Sequence, residues 1–275
     1  MKKLLVAMAA LLTLSLGGGA GAADLARPVY KAPPPAPVYN WTGCWIGAGF
    51  GYGMYDIDHN VTSPTTGAFF DIGHDNGGRG GLGTVGVGCD LQFAGPFLGN
   101  WVIGAFADWD WSNIRGTYSY NCPGGCAGPT GFAGQLRDRS AGYVGGRLGW
   151  VVVPQLLTYV SGGWTSHRFD GATLIDASGT TTTATALAAD TRSGWFIGGG
   201  TEYSIGWLPG LFWKSEYRFA DLRTRDAFAV CVAGPGCVVG TAHAFDHAHT
   251  YVQTARTELV YRFNWGGYGP VRAAY

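Results

Sequence analysis

From Trp41 onward, apolar side chains fall at every second position in runs of roughly 10–15 residues, the period of a strand whose successive side chains point to opposite faces. In the first run Ile46, Ala48, Phe50, Tyr52 and Met54 share one face, and Gly47, Gly49, Gly51 and Gly53 share the other. The second sets Val85, Val87, Cys89, Leu91 and Phe93 opposite Gly86, Gly88, Asp90 and Gln92. The third sets Trp101, Ile103, Ala105, Ala107, Trp109 and Trp111 opposite Gly104, Asp108 and Asp110. The fourth places Val144, Leu148 and Trp150 opposite Tyr143 and Arg147, and a fifth, from Leu157 to His167, has no clear parity. The sixth alternates Trp195, Ile197 and Tyr203 with Gly198, Gly200 and Glu202. The seventh alternates Trp213, Tyr217 and Phe219 with Lys214, Glu216 and Arg218. The last alternates Leu259, Tyr261 and Phe263 with Arg256, Glu258 and Arg262, which makes eight runs.

A soluble β-sandwich alternates too, so the polarity of the faces has to decide. In a sandwich the polar face meets water and carries Lys, Thr and Ser. Here it carries Gly and isolated charges of both signs, while the opposite face carries Trp, Tyr and Phe near the run ends. That combination predicts an all-β fold: an eight-stranded antiparallel transmembrane β-barrel, greasy outside and polar within. The gaps agree. Long polar stretches at about 58–80, 116–138, 170–192 and 224–248 alternate with short links at Ala94–Asn100, Pro154–Gln155 and Ile205–Gly210. Outer-membrane barrels place long loops outside and short turns in the periplasm.

Composition narrows the classes. Gly accounts for 47 of 275 residues and aromatics for 14%, while charged residues reach 13%, about half the usual ~25%. This is unlike a disordered chain, which has few aromatics and high net charge. Lys2, Lys3, the 13-residue apolar run Leu4–Leu16 and the small residues Ala20-Gly21-Ala22 form a secretory leader over residues 1–22. Its removal turns a net charge of zero into −2, so no basic excess attracts nucleic acid. Prolines at 28, 33, 34, 35 and 37 make residues 23–40 an extended tether. The barrel then occupies 41–265 and a short extension 266–275.

Six cysteines in an exported chain suggest disulfides. Cys122 with Cys126 and Cys231 with Cys237 bracket short Gly-Pro segments and read as loop staples, leaving Cys44 and Cys89 for each other. Both of the latter lie on the apolar face near one rim, where facing residues of neighbouring strands bring Cβ atoms to about 4.5–5.5 Å. A zinc site is the competing reading, weakened by the spacing.

The blocks AADLARPVYKAPPPAPVYNWTGCWIGAGFGYG, GTVGVGCDLQF, NWVIGAFADWDWSNIRG, GRLGW and TELVYRFNW resemble the alphaproteobacterial small outer-membrane β-barrel proteins, the porin-family, opacity-like group. The resemblance covers nearly the whole mature chain. It implies an outer-membrane location and insertion by the barrel-assembly machinery, which reads the last strand. The residues after Trp265 depart from the family's ending at a terminal aromatic. Outer-membrane lipid and lipopolysaccharide are further expected partners, with peptidoglycan a candidate for the tether.

The inner face gathers Asp108, Asp110, Glu202, Glu216 and Glu258 with Arg147, Lys214, Arg218, Arg256 and Arg262. An eight-stranded barrel is just wide enough for side chains to fill it, so these groups predict a salt-bridged plug. A narrow pore gated by exchange of ion pairs is the alternative. His243, Asp246, His247 and His249 have a spacing that could hold a transition metal or haem iron, although loops are commonly polar. Ser166 and His167 are adjacent on one strand and point apart, which argues against a hydrolase. The reading at this point is a structural, envelope-integrity protein with no cofactor. A low-conductance porin is second, and an adhesin or ligand receptor acting through the loops is third.

Overall fold

Ten antiparallel strands appear in the computed structural model, which describes residues 40–95, 99–121, 131–235 and 237–263. They are β1 (Gly43–Thr62), β2 (Phe69–Ala94), β3 (Asn100–Asn121), β4 (Gly131–Val153), β5 (Leu156–Phe169), β6 (Ala172–Asp176), β7 (Ala184–Leu187), β8 (Asp190–Ser204), β9 (Leu211–Ala233) and β10 (Ala242–Phe263). The described residues all belong to the unit Val38–Tyr275. The leader, residues 23–39 of the tether, the extension 266–275 and the pair Cys122 and Cys126 lie outside the described residues.

The hydrogen-bonded ladder runs β1-β2-β3-β4-β5-β8-β9, and β9 pairs with β10, which pairs back to β1. Stepping across it from Cys44 through Cys89, Ala105, Gly146, Gly162, Ile197, Phe219 and Gln253 arrives on β1 again at Met54. That ten-residue stagger is the shear that tilts strands about 35–45° in a closed barrel.

The count of ten instead of eight has a local cause. Phe169 faces Asp190 at the end of the β5–β8 ladder, and Ala172 faces Leu187 at the start of β6–β7, with the same stagger carried three residues further. β6 pairs with β4 as β5 does, and β7 pairs with β9 as β8 does. Two long strands are thus interrupted, at Asp170-Gly171 and at Ala188-Ala189.

The long polar stretches are mostly strand, which corrects the expectation of four long loops. β1, β2, β3, β4, β9 and β10 run to 20, 26, 22, 23, 23 and 22 residues, about twice the roughly 9–11 that cross a bilayer. Only 63–68 remains between β1 and β2, and only 234–241 between β9 and β10. The short links stay short, and Gly99 and Gly210 turn there with φ of 113° and 84°.

The outward face below the extensions carries the apolar band. On β3, ten residue steps separate Trp101 from Trp111, about 33 Å along the strand and roughly 25 Å of height once tilted. Phe93, Trp150, Tyr203, Trp213 and Phe263 mark its lower edge, and Tyr52, Trp111, Trp164 and Trp195 its upper edge, all exposed. Strand five resolves its parity too: Leu157, Tyr159, Ser161, Thr165, His167 and Phe169 face in, Val160 and Trp164 out.

Above that edge the strands keep their alternation but exchange its chemistry. On β1, Phe50 is 70% exposed over an inner row of glycines, whereas from five residues on Tyr55, Ile57 and Val61 are buried and Asp56 and Asp58 face out. On β9, Lys214, Glu216 and Arg218 are buried below, and Ala220 and Leu222 above with Arg223 and Arg225 outside. The hydrophobic core lies mostly in this upper part and in a small apolar group at the lower mouth, with the rings of Phe106, Tyr143, Tyr159 and Phe196 packed among the ions between them.

Candidate functional site

Lumen side chains are long and charged because the strand period sends every second residue inward, and glycines leave room for them. A Cβ on Gly104 would sit 1.9 Å from Asp90 Oδ1, and one on Gly86 would sit 2.2 Å from Asp108 Oδ1. The glycine-rich inner face is the space that the carboxylates occupy.

The interior is layered. At the lower mouth Trp41, Trp45, Val102, Leu157, Phe212 and Val260 are buried together, and the Trp41 and Phe212 rings are 4.9 Å apart. Against them lies a four-membered ionic ring. Arg147 holds Asp90 (Nε–Oδ1 2.8 Å) and Glu202 (Nη1–Oε2 3.1 Å). Arg262 holds the same two carboxylates, Asp90 Oδ2 and Glu202 Oε1, each at 2.7 Å. Each guanidinium also lies 5.0 Å from an indole centroid, Arg147 over Trp45 and Arg262 over Trp41, so the ring is stacked on the apolar layer as well as paired.

The second tier is a chain. Lys214 Nζ reaches Glu258 Oε1 at 3.2 Å and Glu216 Oε2 at 3.6 Å. Arg218 donates to Glu216 at 2.8 Å and to Asp108, and Ser161 Oγ donates to Glu216 at 2.7 Å. Arg256 donates to Asp110 at 2.9 Å and lies 3.5 Å from Asp108. All ten sequence-derived lumen residues are buried in these two tiers. Asp90 joins them as a sixth carboxylate; its parity with Gly86 and Gly88 already placed it inside.

Two further clusters draw on the long polar stretches, the first through Asp138 alone and the second through all of its members. Asp138 accepts from Ser112 Oγ at 3.1 Å and meets His167 Nδ1 at 2.9 Å, and Tyr143 OH is 3.2 Å from His167 Nε2. Higher up, Asn76 Nδ2 donates to His59 Nε2 at 2.7 Å, which leaves the ring proton on Nδ1, 2.9 Å from Asp246 Oδ1. Tyr118 donates to the other oxygen of Asp246. This cluster stands above the apolar band. Burial first, and the Asp246 carboxylate second, push the Tyr118 phenol well above its ordinary value, so it remains a donor.

The histidines of the fourth long stretch do not converge. Asp246 points in, while His247 points out to Asp226 at 2.5 Å and His249 to Asp221 at 2.7 Å. His243 packs against the Phe132 ring at 5.2 Å. Strand alternation separates residues that a loop could have gathered, and among the described residues no group of three or more His, Cys, Asp or Glu side chains could hold a metal ion. Ser166 and His167 also part: Ser193 Oγ donates to Ser166 at 3.1 Å on the outer side. Cys44 and Cys89 face each other across β1 and β2 with Cα atoms 3.9 Å apart and are disulfide-bonded. Cys231 bonds Cys237, and Cys231 is not a loop residue: it is fully buried in β9 opposite Thr185.

An antiparallel ring of tilted strands with a lipid-compatible belt outside and paired ions inside defines an integral β-barrel of the outer membrane. Comparison with known proteins adds its relatives. The chain is homologous to the 31 kDa outer-membrane immunogenic protein of Brucella melitensis biotype 1, being 29% identical to it over 260 residues, 88% of this chain and 92% of that one. It matches the protein of the same name from Brucella suis biovar 1 equally well. No family model matches. Among solved structures, OprG of Pseudomonas aeruginosa aligns with a TM-score of 0.43 at 9% identity, covering 81% of this chain and 97% of OprG. Ail of Yersinia pestis aligns with a TM-score of 0.34 at 11% identity, covering 81% and 99%. The fold assignment rests on this chain's own strand pairing.

Proposed function

We propose that this outer-membrane protein is a closed, non-enzymatic structural element of the envelope whose lumen is plugged instead of conducting. The observation that carries the reading is the order of layers inside: an apolar mouth of Trp41, Trp45 and Phe212, an ion-paired middle, and a Tyr- and Phe-rich upper core. Conduction needs a continuous wet path, and here both ends of the ionic segment are closed by packed apolar side chains. Charges buried in such a segment stay only if paired, because an ion without its counterion costs several kcal/mol to desolvate. The pairs therefore lock the strands together from within.

The non-enzymatic reading follows from the same packing. His167 is committed to Asp138 and Tyr143 inside the wall, and Ser166 lies outside it. Planar-bilayer recording of refolded protein tests the plug: silence is expected from the wild type, and steady small steps would establish the low-conductance pore instead.

A further inference from the structure

Just above the upper aromatic edge, the outer wall carries an arc of arginines. Arg79 on β2 is the cross-strand partner of Arg115 on β3, and Arg115 is the partner of Arg137 on β4. Arg139 and Arg168 extend the arc onto β5. Arg115 lies on the same outward face as Trp111, four residues higher, about 13 Å along the strand. Like charges placed directly opposite one another destabilise a sheet. On the β8–β10 side of this belt three ion pairs join neighbours of opposite sign: His247 with Asp226, His249 with Asp221, Arg225 with Asp190. In the arc, only Arg139 meets a carboxylate, Asp170 at 3.6 Å. Among the described residues, Arg79, Arg115 and Arg137 have none within 4.0 Å. Arg115 Nε donates to Asn113 Oδ1 at 2.8 Å, and its terminal nitrogens have no hydrogen-bond partner among the described residues.

The wall beneath the arc is also distinctive. Val85, Ala107, Trp109, Gly142, Val144 and Trp164 line one end of a shallow apolar groove on these strands, and the groove runs on across β1 to β10 and β9. Fixed cations sit over a smooth groove at the height where headgroup meets hydrocarbon. We infer that this face binds a phosphorylated acyl glycolipid of the outer leaflet, lipopolysaccharide, with its phosphates on Arg79, Arg115 and Arg137 and an acyl chain in the groove. Guanidinium forks suit phosphate oxygens, which they can hold bidentately, and an anion between them converts a repulsive row into an attractive one.

The experiment uses the refolded full chain in detergent, titrated with a bisphosphorylated deep-rough lipopolysaccharide, the same glycolipid after dephosphorylation, phosphatidylglycerol and inorganic phosphate. The wild type should bind the bisphosphorylated glycolipid at least tenfold more tightly than the dephosphorylated form. R79Q/R115Q/R137Q should lose that tenfold, and R223Q/R225Q on the far side should keep it. Millimolar inorganic phosphate should not displace the lipid. Without lipid, the triple variant should melt at or above the wild-type temperature, because repulsion has been relieved; the lipid should then raise Tm of the wild type only. R115Q alone reads the same contrast if the triple variant folds poorly. Equal affinities for wild type and triple variant would overturn the inference. So would equal losses in both variant sets, equal binding of phosphatidylglycerol, or displacement by micromolar phosphate.

Discussion

The lower and upper parts of this barrel are built from the same strands with opposite chemistry. At membrane level Ile46, Phe50, Val87 and Trp109 face out, and Asp90, Asp108, Arg218 and Arg262 are buried. Beyond the band Tyr55, Ile57, Tyr118, Phe132 and Leu174 are buried, and charged residues face out. The solvent explains the exchange. Hydrocarbon rewards apolar side chains on the outer wall and leaves the narrow lumen to ions that must find each other. Water outside the leaflet restores the ordinary rule, so the upper ring hides its aromatic residues as a soluble protein would. The pleat never changes; only the side of it that must be greasy does.

The contrast can be broken most forcefully in the lower part. Replacing Arg262 with Ala strips Asp90 and Glu202 of one of their two arginines and should cost about 3–5 kcal/mol, the usual penalty for an uncompensated buried charge. Urea unfolding in lipid vesicles and heat-modifiability on gels would register it; an unchanged midpoint would remove the network from the stability of the barrel.

Glycine sharpens the same point. Gly104→Ala drives a methyl group to 1.9 Å from Asp90 Oδ1 and should cost about 1–3 kcal/mol by overpacking. Gly81→Ala, whose Cβ would meet nothing nearer than Gly51 O at 3.9 Å, should leave the unfolding midpoint within about 0.5 kcal/mol. Equal effects at the two positions would contradict a filled lumen.

In the upper part the losses should be smaller and local. Tyr118→Phe removes the donor to Asp246 and should cost about 1–3 kcal/mol, the penalty of an unsatisfied buried acceptor. Hydrogen exchange should rise around His59 and Asp246 while insertion and heat-modifiability stay as in the wild type. A failure to insert would mean that the upper ring is needed to build the lower one.

The smallest effect is one of pH. Asp58 and Asp75 are cross-strand partners on the outer face, and the hydrogen bond between their carboxyls is the main cause that raises Asp58 from its ordinary value. A carboxyl raised on folding contributes its stability at low pH and loses it as pH climbs through the raised folded value. Asp75→Asn should bring the Asp58 titration, followed by NMR, back toward that of an ordinary aspartate. An Asp58 midpoint that does not fall in the variant would show the pair to be uncoupled.

How much of this was legible beforehand follows the same division. Within the band, the apolar row Trp101, Ile103, Trp109 and Trp111 against Asp108 and Asp110 needed only a period of two, and it placed the lumen charges on one face. The upper extensions were read as loops because their greasy positions shift to the other face: Asp56 and Asp58 continue the parity of Phe50 and Tyr52 with opposite polarity. Asp138 and His59 escape the sequence pattern for that reason, and the sequence does not show that His167, at the end of the fifth run, pairs with Asp138. The histidines of 243–249 would be neighbours only in a loop, and the stretch is strand.

Local sequence determined the strand period, the sidedness of each run and the apolar belt, because each depends on residues two apart and on the solvent they face. Tertiary structure decided which acid meets which base, that Asp90 bridges Arg147 and Arg262, that β6 and β7 resume the interrupted pair β5 and β8, and that Arg79, Arg115 and Arg137 stand in one row. Those outcomes depend on register around a closed ring, where partners up to 221 residues apart in the chain are brought together by a stagger that no single strand encodes.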